Sequence, residues 1–182
     1  MKKNFDIEKL KYPIGKFQKP NSISKEDLKT WIEAIENFPA KIRKLTATLS
    51  VQELNWVYRP KGWCIKQVVH HCADSHMNSI IRFKLALTEE NPTIKPYQEE
   101  LWAELVDGNS DAIFHSLQII ESVHNRWALL LKSFEKAELE RQYTHPATNK
   151  TSCLDEIIGM YAWHGNHHLA HIEQALAHKG QF

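Results

Sequence analysis

The sequence predicts an all-α protein built around a four-helix bundle, with an extended N-terminal arm and short extra helices. Three observations predict it. Apolar residues recur at three- and four-residue spacing in four long segments. No segment shows the alternating, Val-rich pattern of a strand. No linker divides the chain, so residues 1–182 read as a single domain.

The first 23 residues contain Pro13, Gly15 and Pro20 and are expected to form the extended arm. Ser24 opens the first long helix, with Asp27 in capping-box position. Leu28, Trp31, Ile32, Ile35 and Phe38 give it an apolar stripe, and Pro39 is expected to kink or break it. The pattern resumes through Ile42, Leu45 and Leu49, followed by a helical turn near Gln52 to Leu54 and a loop holding Pro60 and Gly62. A second long helix runs from about Cys64 to Glu89, through Ile65, Val68, Val69, Cys72, Ile80 and Phe83. Asn91-Pro92 ends it, and Pro96 is placed to open a short helix holding Leu101, Trp102 and Leu105.

Ser110 is the expected N-cap of a third helix carrying Ile113, Leu117, Ile120, Val123, Trp127 and Leu131. A polar loop with His145-Pro146 follows. Ser152 is the expected cap of the last helix, which continues to about His178 and stops at Gly180.

Composition narrows the class of function. The chain has 42% hydrophobic residues, including six Trp and seven Phe, enough for a real core without disulfides. Twenty-three basic residues balance 22 acidic ones, and no basic stripe suggests a nucleic-acid partner. Cys64, Cys72 and Cys153 are odd in number and scattered, unlike a disulfide framework. No stretch has the length of a membrane span or the build of a signal peptide. These features predict a cytoplasmic protein.

The eleven histidines are the anomaly. Histidines four apart lie on one helix face and can chelate one ion. The last helix offers His164 with His168, and His167 with His171. At about 100° per residue from His164, His168 falls at about 40°, between Ile157 at about 20° and Ile172 at about 80°. His171 falls at about 340° and His167 at about 300°, at the edge of the stripe and beyond it. On the second long helix, His71 borders the apolar face and His70 points away from it. Thus His71, His164 and His168 are the candidate metal ligands. Three imidazoles suit zinc, nickel, copper or iron and leave a position open, as catalytic sites do.

The stretch from Gly62 to Asn78, the run Arg82 to Glu90, the segment Trp163 to Ile172 and the early Tyr12-Pro13-Ile14-Gly15 resemble the YfiT-like branch of the DinB superfamily. The resemblance covers about Tyr12 to His178. It implies a four-helix bundle with one divalent metal per chain, zinc or nickel, on the positions of His71, His164 and His168. It also implies a homodimer and a small-molecule substrate. The family's usual label is hydrolase, with the metal activating water. Relatives instead use such a site to bind a low-molecular-weight thiol such as bacillithiol, which makes an S-transferase the alternative. A non-catalytic metal-stabilised module is the third reading. Where the family motif has a hydroxyl residue, this chain has Cys64, read as a weak cap rather than a nucleophile. No general base is identified. Asp74 is a candidate to orient a ligand histidine, His145 to reach the site mouth, and Asn78 and Arg82 to bind polar substrate groups, each against a plain structural role.

Overall fold

The computed structural model describes residues 5–182. Four long helices form the bundle: α2 (Lys25–Thr46), α4 (Ile65–Thr88), α6 (Phe114–Lys132) and α8 (Leu154–His178). Helix α2 packs on α6 and α8, and α4 packs on the same two. Consecutive long helices α2 and α4 therefore face each other across the bundle diagonal, as do α6 and α8. The connections carry the short helices α3 (Val51–Leu54), α5 (Glu99–Trp102) and α7 (Lys136–Leu139).

The N-terminal arm departs from the extended conformation expected of it. Asp6 caps a short helix, α1 (Ile7–Lys11), by accepting from the Glu8 and Lys9 amides, and Leu10 is buried. The Ser24 capping box forms as predicted, the Asp27 amide donating to Ser24 Oγ and the Ser24 amide to the Asp27 carboxylate.

Pro39 does not break α2. An interior proline costs about 3 kcal/mol. Ile35, Phe38 and Ile42 on the adjoining turns are each no more than 2% exposed. Burying three such side chains is worth about 1.5–3 kcal/mol each, so the apolar face carries the helix through. The missing Pro39 amide leaves the Ile35 carbonyl without its helical donor. That oxygen accepts instead from His124 Nδ1 at 2.5 Å.

The polar segment before α8 is a hairpin rather than a loop. Strand β1 (Gln142–His145) pairs antiparallel with β2 (Lys150–Cys153), with Tyr143 opposite Ser152 and Thr144 opposite Thr151. Four-residue strands rich in Gln, Thr and Lys give no apolar alternation to read. Pairing holds Ser152 in the strand, so Cys153 takes the N-cap position of α8. Ile113 likewise occupies the N-cap of α6, while Ser110 Oγ accepts from the Ala112 amide in the preceding turn. Cys64 sits at the N-cap of α4, and its amide and thiol both donate to Gln67 Oε1.

The core falls into two apolar clusters. One gathers Ile42, Val68, Val69, Cys72, Leu117, Ile120 and Ile172. The other gathers Ile35, Phe83, Trp127, Leu131, Ile158 and Tyr161. Every long helix contributes to both, and on α4, α6 and α8 the sequence between the two contributions carries His76, His124, His164 and His168, the core of a histidine layer. No helix among the described residues is long and apolar enough to cross a membrane.

Candidate metal centre

Helix α4 brings His71 to this layer, and α8 brings His164 and His168. The His164 Nε2 atom lies 3.3 Å from His71 Nε2 and 3.2 Å from His168 Nε2. The three ligand atoms all lie within 4.8 Å of one another. Two nitrogens at about 2.0–2.1 Å from one tetrahedral ion stand about 3.3–3.4 Å apart, so His164 Nε2 stands at ion-sharing distance from each of the other two rings. His71 and His168 are buried, and His164 is partly exposed.

Burial sets the protonation of the cluster. It drives the His71 imidazole down to about 4, helped by nearby His167. Burial also pushes His164 and His168 well below the usual imidazole range, with the neighbouring histidines adding to the effect. Neutral imidazole is the form that binds metal, so no proton need leave these rings near neutral pH. His168 Nδ1 is buried with no hydrogen-bond partner. The Trp63 ring lies 4.8 Å from that of His71. Trp63 also lines a cleft of about 680 Å³ shared by Arg59, Lys61, Glu99 and Glu104.

The other histidines of α8 are more deeply placed than the helical wheel implies. His167 stacks on Trp163 and Tyr12, and His171 stacks on Tyr58 with ring centres 3.8 Å apart. His171 Nε2 donates to the Lys11 carbonyl at 3.1 Å. The N-terminal arm thus covers a face the sequence left open. His70 turns away from the centre and is satisfied by Ser116 Oγ and the Ser110 carbonyl, both at 2.8 Å.

The candidate auxiliary residues do not gather at the three rings. Asp74 makes no side-chain bond to a ligand histidine and lies with His70, Met77 and His115 around a different cavity. Burial, then the Asp107 charge, raises its carboxyl to about 6. Asn78 donates to the Asp74 carbonyl, and Arg82 donates to the Lys95 carbonyl. His145 lines a separate cavity with Phe17, Tyr143 and Glu156.

Two functional candidates escaped the sequence reading: His76 on α4 and His124 on α6. His76 Nε2 lies 3.1 Å from His164 Nδ1, and His76 Nδ1 lies 2.7 Å from His124 Nε2. A signal for both existed. Measured from Val68, His76 falls at about 80°, inside the apolar stripe, and measured from Ile120, His124 falls at about 40° among Leu117 and Leu131.

A protein-family model described as the DinB superfamily matches residues 34–172. The chain belongs to the DinB superfamily. Relatives in Bacillus cereus (strain 03BB102) and Bacillus thuringiensis subsp. konkukian (strain 97-27) are each named "Putative metal-dependent hydrolase". Both are 52% identical over 163 residues, covering 90% of this chain and 93% of the relative. The solved structure of YfiT from Bacillus subtilis superimposes with a TM-score of 0.91 at 42% identity, over 94% of this chain and 98% of that one. YfiT is described as "a probable metal-dependent hydrolase with an unusual four-helix bundle topology". The region matched to the DinB superfamily contains His71, His76, His124, His164 and His168.

Proposed function

We propose that the protein is a metal-dependent hydrolase in which His71, His164 and His168 bind one divalent ion, zinc or nickel, through their Nε2 atoms. The observation that carries this reading is the convergence of those three nitrogens within 4.8 Å on rings whose basicity is held below the usual imidazole range. Its DinB relatives named for metal-dependent hydrolysis support it. An ion held by three protein ligands keeps a position for water or substrate, lowers the pKa of water to near 7 and polarises a carbonyl.

The protein's own contribution is geometric and electrostatic. Helices α4 and α8 fix the three rings on rigid backbone. Low imidazole basicity keeps all three lone pairs available at neutral pH. Trp63 against His71 gives the site an aromatic wall, and Trp63 also lines the cleft that holds Arg59 and Lys61 together with Glu99, Glu100 and Glu104.

The test is reconstitution of the purified chain with zinc or nickel, with metal counted per chain, followed by ester, amide and lactone panels. One ion per wild-type chain, none on His168→Ala, and metal-dependent cleavage are expected. A wild type that binds no ion overturns the metal centre. Metal-dependent conjugation of a thiol to monochlorobimane without any cleavage overturns the hydrolase assignment in favour of thiol transfer.

A further inference from the structure

A chain of hydrogen bonds crosses all four long helices and ends at the candidate centre. It starts at the Ile35 carbonyl on α2, passes through His124 on α6 and His76 on α4, and reaches His164 on α8. Its direction follows from chemistry. A carbonyl oxygen only accepts, so His124 Nδ1 carries the hydrogen in the 2.5 Å bond to Ile35. A neutral imidazole has one N–H, so His124 Nε2 is then an acceptor, and His76 Nδ1 must donate to it across 2.7 Å. By the same rule His76 Nε2 accepts, and His164 Nδ1 donates to it across 3.1 Å. One proton choice therefore remains for His164: hydrogen on Nδ1 and a lone pair on Nε2, the atom facing His71 and His168.

The anchor exists because of Pro39. Its missing amide frees the Ile35 carbonyl, and an ordinary helical residue there would supply a competing donor. His76 and His124 are each 1% exposed, so water does not offer these two linking rings an alternative partner. Phe38 walls the pair, with its ring centre 5.1 Å from that of His76 and 5.2 Å from that of His124.

We propose that His76 and His124, anchored on the carbonyl that Pro39 leaves free, are positioning residues that lock His164 in its Nδ1–H form and aim its Nε2 lone pair at the metal. The affinity part deepens the metal-centre reading and rests on it; the tautomer part stands without metal. Removing an outer partner of a metal-binding histidine costs about 10–100-fold in metal affinity. His76→Phe leaves the His164 N–H without an acceptor, whereas His76→Gln offers an amide oxygen to His164 and an amide N–H to His124.

Two measurements test this. Long-range proton–nitrogen NMR on metal-free, histidine-labelled wild type is expected to show His124, His76 and His164 all as Nδ1–H tautomers. Zinc affinity, read by competition with a chromophoric chelator, is expected to fall about 10–100-fold in His76→Phe and to recover largely in His76→Gln. A zinc-binding wild type with His164 in the Nε2–H form overturns the relay alone. A folded His76→Phe variant that binds zinc as tightly as wild type, or Phe and Gln variants that are equally weak, also overturns it. Should His76→Phe fail to fold, the wild-type tautomers decide. A wild type that binds no zinc overturns the metal centre instead.

Discussion

Substituting Gly165 by Ala sets a local gain against a local clash, next to the candidate ligand His164. An alanine in the interior of α8 gains about 1 kcal/mol of helix propensity over glycine. Its methyl group, however, would stand 3.0 Å from Phe38 Cδ2, 3.4 Å from Cε2 and 3.5 Å from Cγ. Phe38 is 2% exposed and backed by the His76 and His124 rings, so it cannot swing aside. Overpacking of this kind costs about 1–3 kcal/mol, which offsets the propensity gain and leaves a net loss of up to about 2 kcal/mol. For a chain of this size that lowers Tm by up to about 8 °C. The sharper readout is a double-mutant cycle with Phe38→Leu, followed by urea unfolding through tryptophan fluorescence. Trimming the ring makes room for the methyl group. The double variant should be more stable than the sum of the singles by at least about 0.5 kcal/mol. Strict additivity, or a Gly165→Ala variant more stable than wild type, would refute the packing argument.

Other perturbations probe different levels of the structure. Saturating zinc, at about 100 times its dissociation constant, should stabilise the wild type by about 2.7 kcal/mol in thermal unfolding, and His168→Ala should lose that response. Buried Glu156 bonds to Lys150 at 2.5 Å and Lys19 at 3.0 Å; burial alone would raise its carboxyl, but the two lysines hold it below the usual carboxylate value. Its contribution is therefore present above the unfolded carboxylate pKa and lost as pH falls through the depressed folded value. Glu156→Gln should flatten the stability–pH curve below about pH 5, and an unchanged acid limb would count against the pairing. Gly180 has φ of +64° and its amide closes α8 by donating to the Ala175 carbonyl at 3.0 Å. Gly180→Ala should lower stability by about 1 kcal/mol or more, because an added Cβ meets the Trp56 Cα at 3.0 Å and the φ suits only glycine without strain. A neutral result in denaturant unfolding would contradict that.

Strong, long periodicity was the legible part of this chain. The stripe Leu28, Trp31, Ile35, Phe38 located α2, and the wheel positions of His71, His164 and His168 picked out the rings that converge. Weak signals were lost. The hairpin strands are four residues long and polar, so pairing rather than propensity forms them. Pro39 left a kink or a break open for α2, and the helix stays unbroken through burial that a single-helix argument cannot see. His167 and His171 looked peripheral because the wheel knows nothing of the arm that packs over them through Tyr12 and Lys11.

The sequence by itself determined which faces of four helices are apolar and which histidines ride on them, since side-chain direction along a helix follows from 3.6-residue periodicity alone. Tertiary structure decided which helices are neighbours, and so which donors meet which acceptors. The Ile35 carbonyl, His124, His76 and His164 are separated by tens of residues and belong to four helices. Only the diagonal packing of α2 and α4, with α6 and α8 between them, brings those atoms within hydrogen-bond reach.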